Sequence, residues 1–131
     1  MIRIKYLVHS GFLIETEKYI LVFDYFEDNC KKQSASDCGR LQPEDFPEDK
    51  TVIFFVSHAH YDHFDKPSIA GLPDNTKVYV PLGLKKSVES LNKRHVTEMD
   101  WWQTIDLGNG SKLVCLPVQH WSRRISQSID T

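Results

Sequence analysis

The segment Ser57-His58-Ala59-His60-Tyr61-Asp62-His63-Phe64-Asp65 concentrates three imidazoles and two carboxylates between His58 and Asp65. A packed apolar core cannot absorb such a run, so a fold carrying it must deliver the polar groups to a cleft or to a cation. Neutral imidazole and carboxylate are ligands suited to Zn²⁺. With 6 His among 131 residues, His-x-His-x-Asp-His arises by chance in roughly one sequence in a thousand. The competing reading is an exposed turn that happens to be His-rich, and the residues on either side decide between the two.

Those residues predict a strand, a ligand loop and a helix start, in that order. Thr51-Val52-Ile53-Phe54-Phe55-Val56 is a continuous β-branched and aromatic run, the pattern of a strand buried on both faces. Loops at the carboxyl ends of central strands are where open α/β sheets form their ligand crevice. His58 and His60, two apart in extended chain, project to one side and can chelate one ion. Asp62 and His63 belong to the following turn. Asp65, ahead of Lys66-Pro67-Ser68-Ile69-Ala70, suits the N-cap of a short helix with Pro in its first turn.

At 131 residues the chain is expected to form a single domain, residues 1–131. A formal charge of -2 argues neither for a nucleic-acid binder by bulk electrostatics nor for a membrane-surface protein. The basic pairs Lys31-Lys32, Lys85-Lys86 and Lys93-Arg94 are expected on the solvated surface, whereas Arg123-Arg124 stands beside a candidate ligand, His120. The first residues, Met1-Ile2-Arg3-Ile4-Lys5-Tyr6, alternate like a strand and lack a signal peptide's apolar core, and no segment reaches transmembrane length, so a cytoplasmic protein is expected. Cys30, Cys38 and Cys115 contain no Cys-x-x-Cys pair and are expected as reduced thiols.

Residues 2–24 predict an antiparallel meander with connections at His9-Ser10-Gly11 and Thr16-Glu17-Lys18. Glu27 to Lys50 has little periodicity and suggests one long loop. A βαβα rhythm follows the ligand loop: a strand at Lys77–Val80, a helix with Leu84, Val88 and Leu91 on one face, and a strand at His95–Met99. Asn109-Gly110 signals a tight hairpin between Gln103–Leu107 and Ser111–Val118, and His120 falls beyond the second of these strands.

A strand followed by His58-x-His60-x-Asp62-His63, with a further histidine some sixty residues on, resembles the metallo-β-lactamase superfamily of metal-dependent hydrolases. The pieces Tyr6-Leu7-Val8-His9-Ser10-Gly11-Phe12-Leu13-Ile14-Glu15, Leu21-Val22-Phe23-Asp24, Met99-Asp100-Trp101-Trp102 and Pro117-Val118-Gln119-His120-Trp121-Ser122-Arg123-Arg124 resemble its branch of lactonase-like proteins and N-acyl-phosphatidylethanolamine phospholipase D. The resemblance implies His58, His60 and His120 on one metal and Asp62 and His63 on a second. It implies Zn²⁺ as the cofactor, one or two ions, with Mn²⁺ or Fe²⁺ as alternatives. It further implies a metal-bound hydroxide as nucleophile, with Asp62 as the catalytic residue that holds it or shuttles its proton. Asp24 is implied to orient a ligating imidazole, and Arg123 is a candidate for binding a substrate phosphate or carboxylate. His9 is read as structural, because the family carries a histidine there without using it as a ligand. Trp101 and Trp102 are read as core or cleft wall.

The fold implied is α/β (α+β), an αββα sandwich of two halves, of which residues 1–131 correspond to the N-terminal sheet-and-helix half. The aspartate that bridges two metals in the family and the last histidine of its second site have no counterparts in this sequence. A half sandwich would leave an apolar sheet face uncovered, so self-association is expected, with a second copy covering that face. The function expected is hydrolysis of a phosphodiester, lactone or related ester of a small molecule or lipid. The alternative is a catalytically incompetent half-domain acting as a metal-binding or interaction module; RNA processing is disfavoured by the charge.

Overall fold

A computed structural model describes residues 1–27, 39–91, 93, 95–124 and 127–130, the segments 121–124 and 127–130 by their backbone alone. Six strands form the main sheet: β1 (Arg3–Tyr6), β2 (Phe12–Glu15), β3 (Tyr19–Phe23), β4 (Thr51–Phe55), β5 (Lys77–Pro81) and β6 (His95–Met99), in spatial order 1-2-3-4-5-6. β1 to β3 pair antiparallel, as the short connections of the meander require, and β3 to β6 pair parallel. The parallel half is linked by α1 (Lys66–Ala70) between β4 and β5 and by α2 (Lys85–Glu89) between β5 and β6.

The strands show why one sequence serves two faces. Cross-strand partners Leu13, Val22, Phe54, Val78 and Val96 line one face. With Ile20, Val52, Ile69, Leu72 and Val88 they make the core on which both helices pack. At five residues each, the helices are too short to persist alone. Their apolar contacts fix them, at roughly 1.5–3 kcal/mol per fully buried aliphatic side chain. β4 is buried along nearly its whole length, as its unbroken apolar run predicts. Asp65 caps α1 by accepting the Ser68 backbone N–H at 3.1 Å.

The opposite face carries an aromatic row, Tyr6, Phe12, Phe23, Phe55 and Tyr79, one from each of five neighbouring strands. Phe23 and Phe55 stack with centroids 4.6 Å apart. The hairpin of β7 (Thr104–Gly108) and β8 (Ser111–Val114) lies against part of this face. It is tied there by Lys18 Nζ donating to Asn109 Oδ1 at 2.9 Å and by the Tyr19 hydroxyl donating to the Leu107 carbonyl. Asn109 and Gly110 have φ of 55° and 77°, the left-handed pair that a type I′ turn demands. Between hairpin and sheet remains an apolar cavity of about 260 Å³, lined by Phe23, Phe55, Tyr79, Met99, Leu113 and Leu116. Tyr6, Phe12, Val114, Leu116 and Val118 on or near this side are exposed. A second hairpin joins β9 (Trp121–Arg124) to β10 (Gln127–Asp130).

Four expectations need amending. The apolar run after Asn109-Gly110 stays in the sheet only to Val114, so the strand is shorter than Ser111–Val118. The 27–50 connection contains a 3₁₀ turn at Pro43–Asp45, formed where Pro43 starts it and Gln42 N–H donates to Asp45 Oδ2 at 2.8 Å; its residues 28–38, with Cys30, Cys38, Lys31 and Lys32, lie outside the described residues. Of the two readings of Trp101 and Trp102, core or cleft wall, the core is excluded: both are exposed in the turn after β6, where Trp102 has φ 66°. Lys93 is buried rather than solvated: its ammonium donates to the carbonyls of Leu72 at 2.6 Å and Pro73 at 3.4 Å in the turn that follows α1. Burial holds that ammonium's pKa below the ordinary lysine range, against the attraction of Asp74.

Candidate metal centre

Chain direction brings the polar groups together. β3 and β4 run parallel and end side by side, Phe23 opposite Phe55, so Asp24 and Ser57, just beyond them, meet. Asp24 leaves its strand with φ 44°. Its carboxylate accepts the Ser57 backbone N–H on Oδ1 at 2.8 Å and the Ser57 hydroxyl on Oδ2 at 2.5 Å. On the same Oδ2, at 2.8 Å, lies His63 Nδ1.

Proton bookkeeping then fixes the ring nitrogens. The one Ser57 hydroxyl proton goes to the carboxylate, so Ser57 Oγ accepts from His58 Nδ1, 2.8 Å away. The other nitrogen of a neutral His58, Nε2, is therefore a bare lone pair. It lies 3.1 Å from His60 Nδ1, and His120 Nε2 lies 3.0 Å from that same His60 atom. Ligands about 2.0–2.1 Å from a tetrahedral zinc sit about 3.3–3.4 Å from one another. The two edges at His60 Nδ1 are thus slightly shorter than a bound ion would set them, one ligand atom from each of the three rings lies within 4.8 Å of the others, and His58, His60 and His120 could hold one ion. His58 is buried, 7% exposed, while His120 is open to solvent. Burial pushes the His58 imidazole down to about 4, with His63, His120 and His60 acting the same way and Asp24 opposing. At neutral pH His58 is unprotonated, the state a ligand needs.

Asp62 and His63 adjoin this group from the turn after β4, held by His63 N–H and Phe64 N–H donating to the His60 carbonyl at 3.0 and 2.8 Å. Burial raises the Asp62 pKa, but the His9 hydrogen bond, a backbone hydrogen bond and the nearby His63 and His9 charges outweigh it and keep the carboxyl below its ordinary range. His120 stands immediately before β9, six residues past the end of β8, and not directly at a strand end. Arg123 falls on β9, whose side chains lie outside the description.

Two members of the arrangement escape a reading of the motif alone. Ser57 sits next to His58 in sequence, but its part in fixing the ring appears only when Asp24 is seen beside it. His9 comes from the turn between β1 and β2, with Nε2 2.9 Å from Asp62 Oδ2. That turn packs tightly: a Cβ on Gly11 would stand 3.2 Å from the Val8 carbonyl oxygen and 3.3 Å from that of Phe23. Among the described residues no helix is long and apolar enough to cross a membrane.

Comparison with known proteins agrees with this picture. N-acyl-phosphatidylethanolamine-hydrolyzing phospholipase D 1 of Caenorhabditis elegans is 31% identical over 136 aligned positions, covering 91% of this chain and 38% of the worm protein. A protein of Salinibacter ruber named a metal-dependent hydrolase is 40% identical over 60 residues, 45% of this chain and 22% of that protein. The chain therefore spans well under half the length of these relatives. Among solved structures, CmlA, a diiron β-hydroxylase from Streptomyces venezuelae, superposes with a TM-score of 0.68 over 97% of this chain and 26% of its own, at 20% identity, a likeness of fold. The model of the family described as the Beta-lactamase superfamily domain matches residues 23–131, and with the His-x-His-x-Asp-His loop at the end of β4 this identifies the chain as a member of the metallo-β-lactamase superfamily.

Proposed function

We propose that this chain carries the metal-binding part of a metal-dependent hydrolase, in which His58, His60 and His120 hold a divalent ion, Zn²⁺ for preference and Mn²⁺ or Fe²⁺ as alternatives. The convergence of His58 Nε2, His60 Nδ1 and His120 Nε2 at 3.1 and 3.0 Å carries this reading. Three imidazoles leave a coordination position open, as catalytic rather than structural sites do. A bound ion supplies Lewis acidity and makes water a nucleophile near neutral pH. Asp62 accepts the proton of the attacking water or holds that water in line. Asp24 keeps the His63 ring aimed, and Ser57 keeps the His58 ring aimed. Arg123 offers its guanidinium to an anionic substrate group.

The substrate proposed is a phosphodiester, lactone or related ester of a small molecule or lipid, in keeping with the worm relative's name. The location proposed is cytoplasmic. The test is metal content and turnover: about one or more zinc, manganese or iron per chain, hydrolysis of bis(p-nitrophenyl) phosphate or an acyl lactone, and loss of metal and turnover together in His58→Ala and His60→Ala. Wild-type protein that takes up no metal, with stability unchanged in both variants, overturns the reading.

The exposed aromatic and aliphatic side chains on the sheet face opposite the helices favour a second reading, that of a metal-binding interaction module. In it the face is covered by a second copy of the chain, burying Tyr6, Phe12 and Leu116. It predicts a homo-oligomer by light scattering and bound metal without hydrolysis of either substrate. A monodisperse monomer at micromolar concentration excludes the covering copy, and hydrolysis of either substrate excludes the module.

A further inference from the structure

The β1–β2 turn meets the ligand loop at two successive residues. His9 Nε2 lies 2.9 Å from Asp62 Oδ2, and Ser10 Oγ lies 3.3 Å from His63 Nδ1. An ionised carboxylate oxygen only accepts, so the His9 nitrogen facing it carries the ring proton and donates it to Asp62.

Neither segment needs this bond to keep its own shape. The turn is closed by Leu7 N–H to the Gly11 carbonyl at 2.9 Å, Gly11 N–H to the Val8 carbonyl at 3.2 Å, and the Tyr6 hydroxyl to the His9 carbonyl at 2.5 Å. The ligand loop is closed by the bonds of His63 and Phe64 N–H to the His60 carbonyl. Those bonds hold backbone. The Asp62 carboxylate itself, its side chain 27% exposed, is held by one backbone hydrogen bond and by the His9 proton. With Oδ2 engaged by the imidazole, the carboxylate cannot rotate without breaking that bond, so Oδ1 keeps one direction.

The donor is held still in its turn. The His9 ring makes edge-to-face contacts with Phe26 and His63, centroids 6.1 and 5.7 Å away. Its backbone has φ 63°, in the left-handed region that glycine enters without steric cost. A side chain kept there is accounted for by what its ring reaches, a carboxylate 53 residues away.

We infer that His9 is a positioning residue for Asp62: it donates to one carboxylate oxygen so that the other stays aimed at the attacking water. This rests on the reading of Asp62 as the group that accepts that water's proton or holds it in line, and it departs from the purely structural role that the sequence suggests for His9. His9 acts through Asp62 and not on the reacting atoms. The contribution is one of alignment, where a misplacement of about 1 Å costs about 100-fold in rate.

The test compares two variants that share the left-handed backbone and differ in the donor: His9→Gln offers an N–H, His9→Leu does not. The zinc-loaded full chain is assayed on bis(p-nitrophenyl) phosphate, with zinc content and Tm measured alongside. His9→Leu is expected to lower kcat about 10–100-fold with KM and zinc content unchanged, and His9→Gln to recover most of that loss. His9→Gly, relaxed at this φ, is expected to repeat the loss without a fall in Tm, which separates alignment from folding should His9→Leu fold poorly. On the metal-stripped chain, with no turnover involved, the His9 Nε2 proton is expected as an exchange-protected NMR resonance in wild type that disappears in Asp62→Ala. Wild-type kcat in His9→Leu and His9→Gly, equal losses in His9→Leu and His9→Gln, or no protected resonance in wild type overturn the inference, while zinc-dependent turnover of the wild type would still support the hydrolase reading. A wild type without zinc-dependent turnover overturns both.

Discussion

Asp24 Oδ2 lies 2.8 Å from His63 Nδ1, and this one contact joins the end of β3 to the ligand loop 39 residues later. The same carboxylate also takes both donors of Ser57, so three donors depend on a group that only accepts. Asp24→Asn keeps the side-chain shape and the tolerance for φ 44°, but it turns one acceptor into an NH₂ donor facing Ser57 or His63. The expected outcome is a folded protein whose zinc affinity, measured by competition with a chelating dye, falls about 10–100-fold. An affinity within twofold of wild type would show that Asp24 does not position the ligands.

Metal binding to the native state alone stabilises it by mass action. At free zinc one hundred times the dissociation constant the gain is about 2.7 kcal/mol. Zinc should therefore raise the Tm of the wild type by several degrees, reversed by a chelator, and raise that of His58→Ala less. The stripped His58→Ala protein should match or exceed the stripped wild type in Tm, because a buried imidazole crowded by His60, His63 and His120 is removed. Equal zinc-induced shifts in the two proteins would place the ion elsewhere.

The parts legible in the sequence are those whose cause is local. The β-branched run of β4, the Asp65 cap and the Asn109-Gly110 turn each act within a few residues, and the structure forms all three. The gathering of His58, His60 and His120 was legible only through family resemblance, since 60 residues separate even His60 from His120. What the sequence hid depends on register between distant strands. His9 meets Asp62 because the β1–β2 turn folds over the end of β3, and no spacing announces that. Lys93 reads as surface charge, yet two carbonyls after α1 draw it inside. Trp101 and Trp102 read as core or cleft wall on hydrophobicity, but both lie exposed in the turn after β6, outside the core.

Thr76 is fully buried, and its hydroxyl has no hydrogen-bond partner among the described residues. Its backbone N–H already donates to the Pro73 carbonyl at 3.0 Å, so the turn before β5 does not need the side chain. An unsatisfied buried hydroxyl costs about 1–3 kcal/mol. Thr76→Val keeps the branched shape and removes that cost, so the chemical-denaturation midpoint should rise, by about 1 kcal/mol in stability, with the slope unchanged. A lower midpoint would mean that the hydroxyl is satisfied in solution.

Glu15 joins the first strands to the residue before β4. Its carboxylate accepts from Lys50 Nζ at 2.7 Å and Arg3 Nε at 2.6 Å. These bonds, Lys50 first, hold its pKa below the ordinary 4.5. A folded-state value below the unfolded one means that the native state holds its proton less tightly. The resulting stability is fully present above the unfolded value and is lost as pH falls through the folded one. The Tm difference between wild type and Glu15→Gln should therefore be steady from neutral pH to about 5.5, shrink below 4.5, and be reduced by 1 M salt at neutral pH because the pairs lie at the surface. A difference that persists undiminished at about pH 2.5 would mean that Glu15 acts through packing of its side-chain stem and not through its charge.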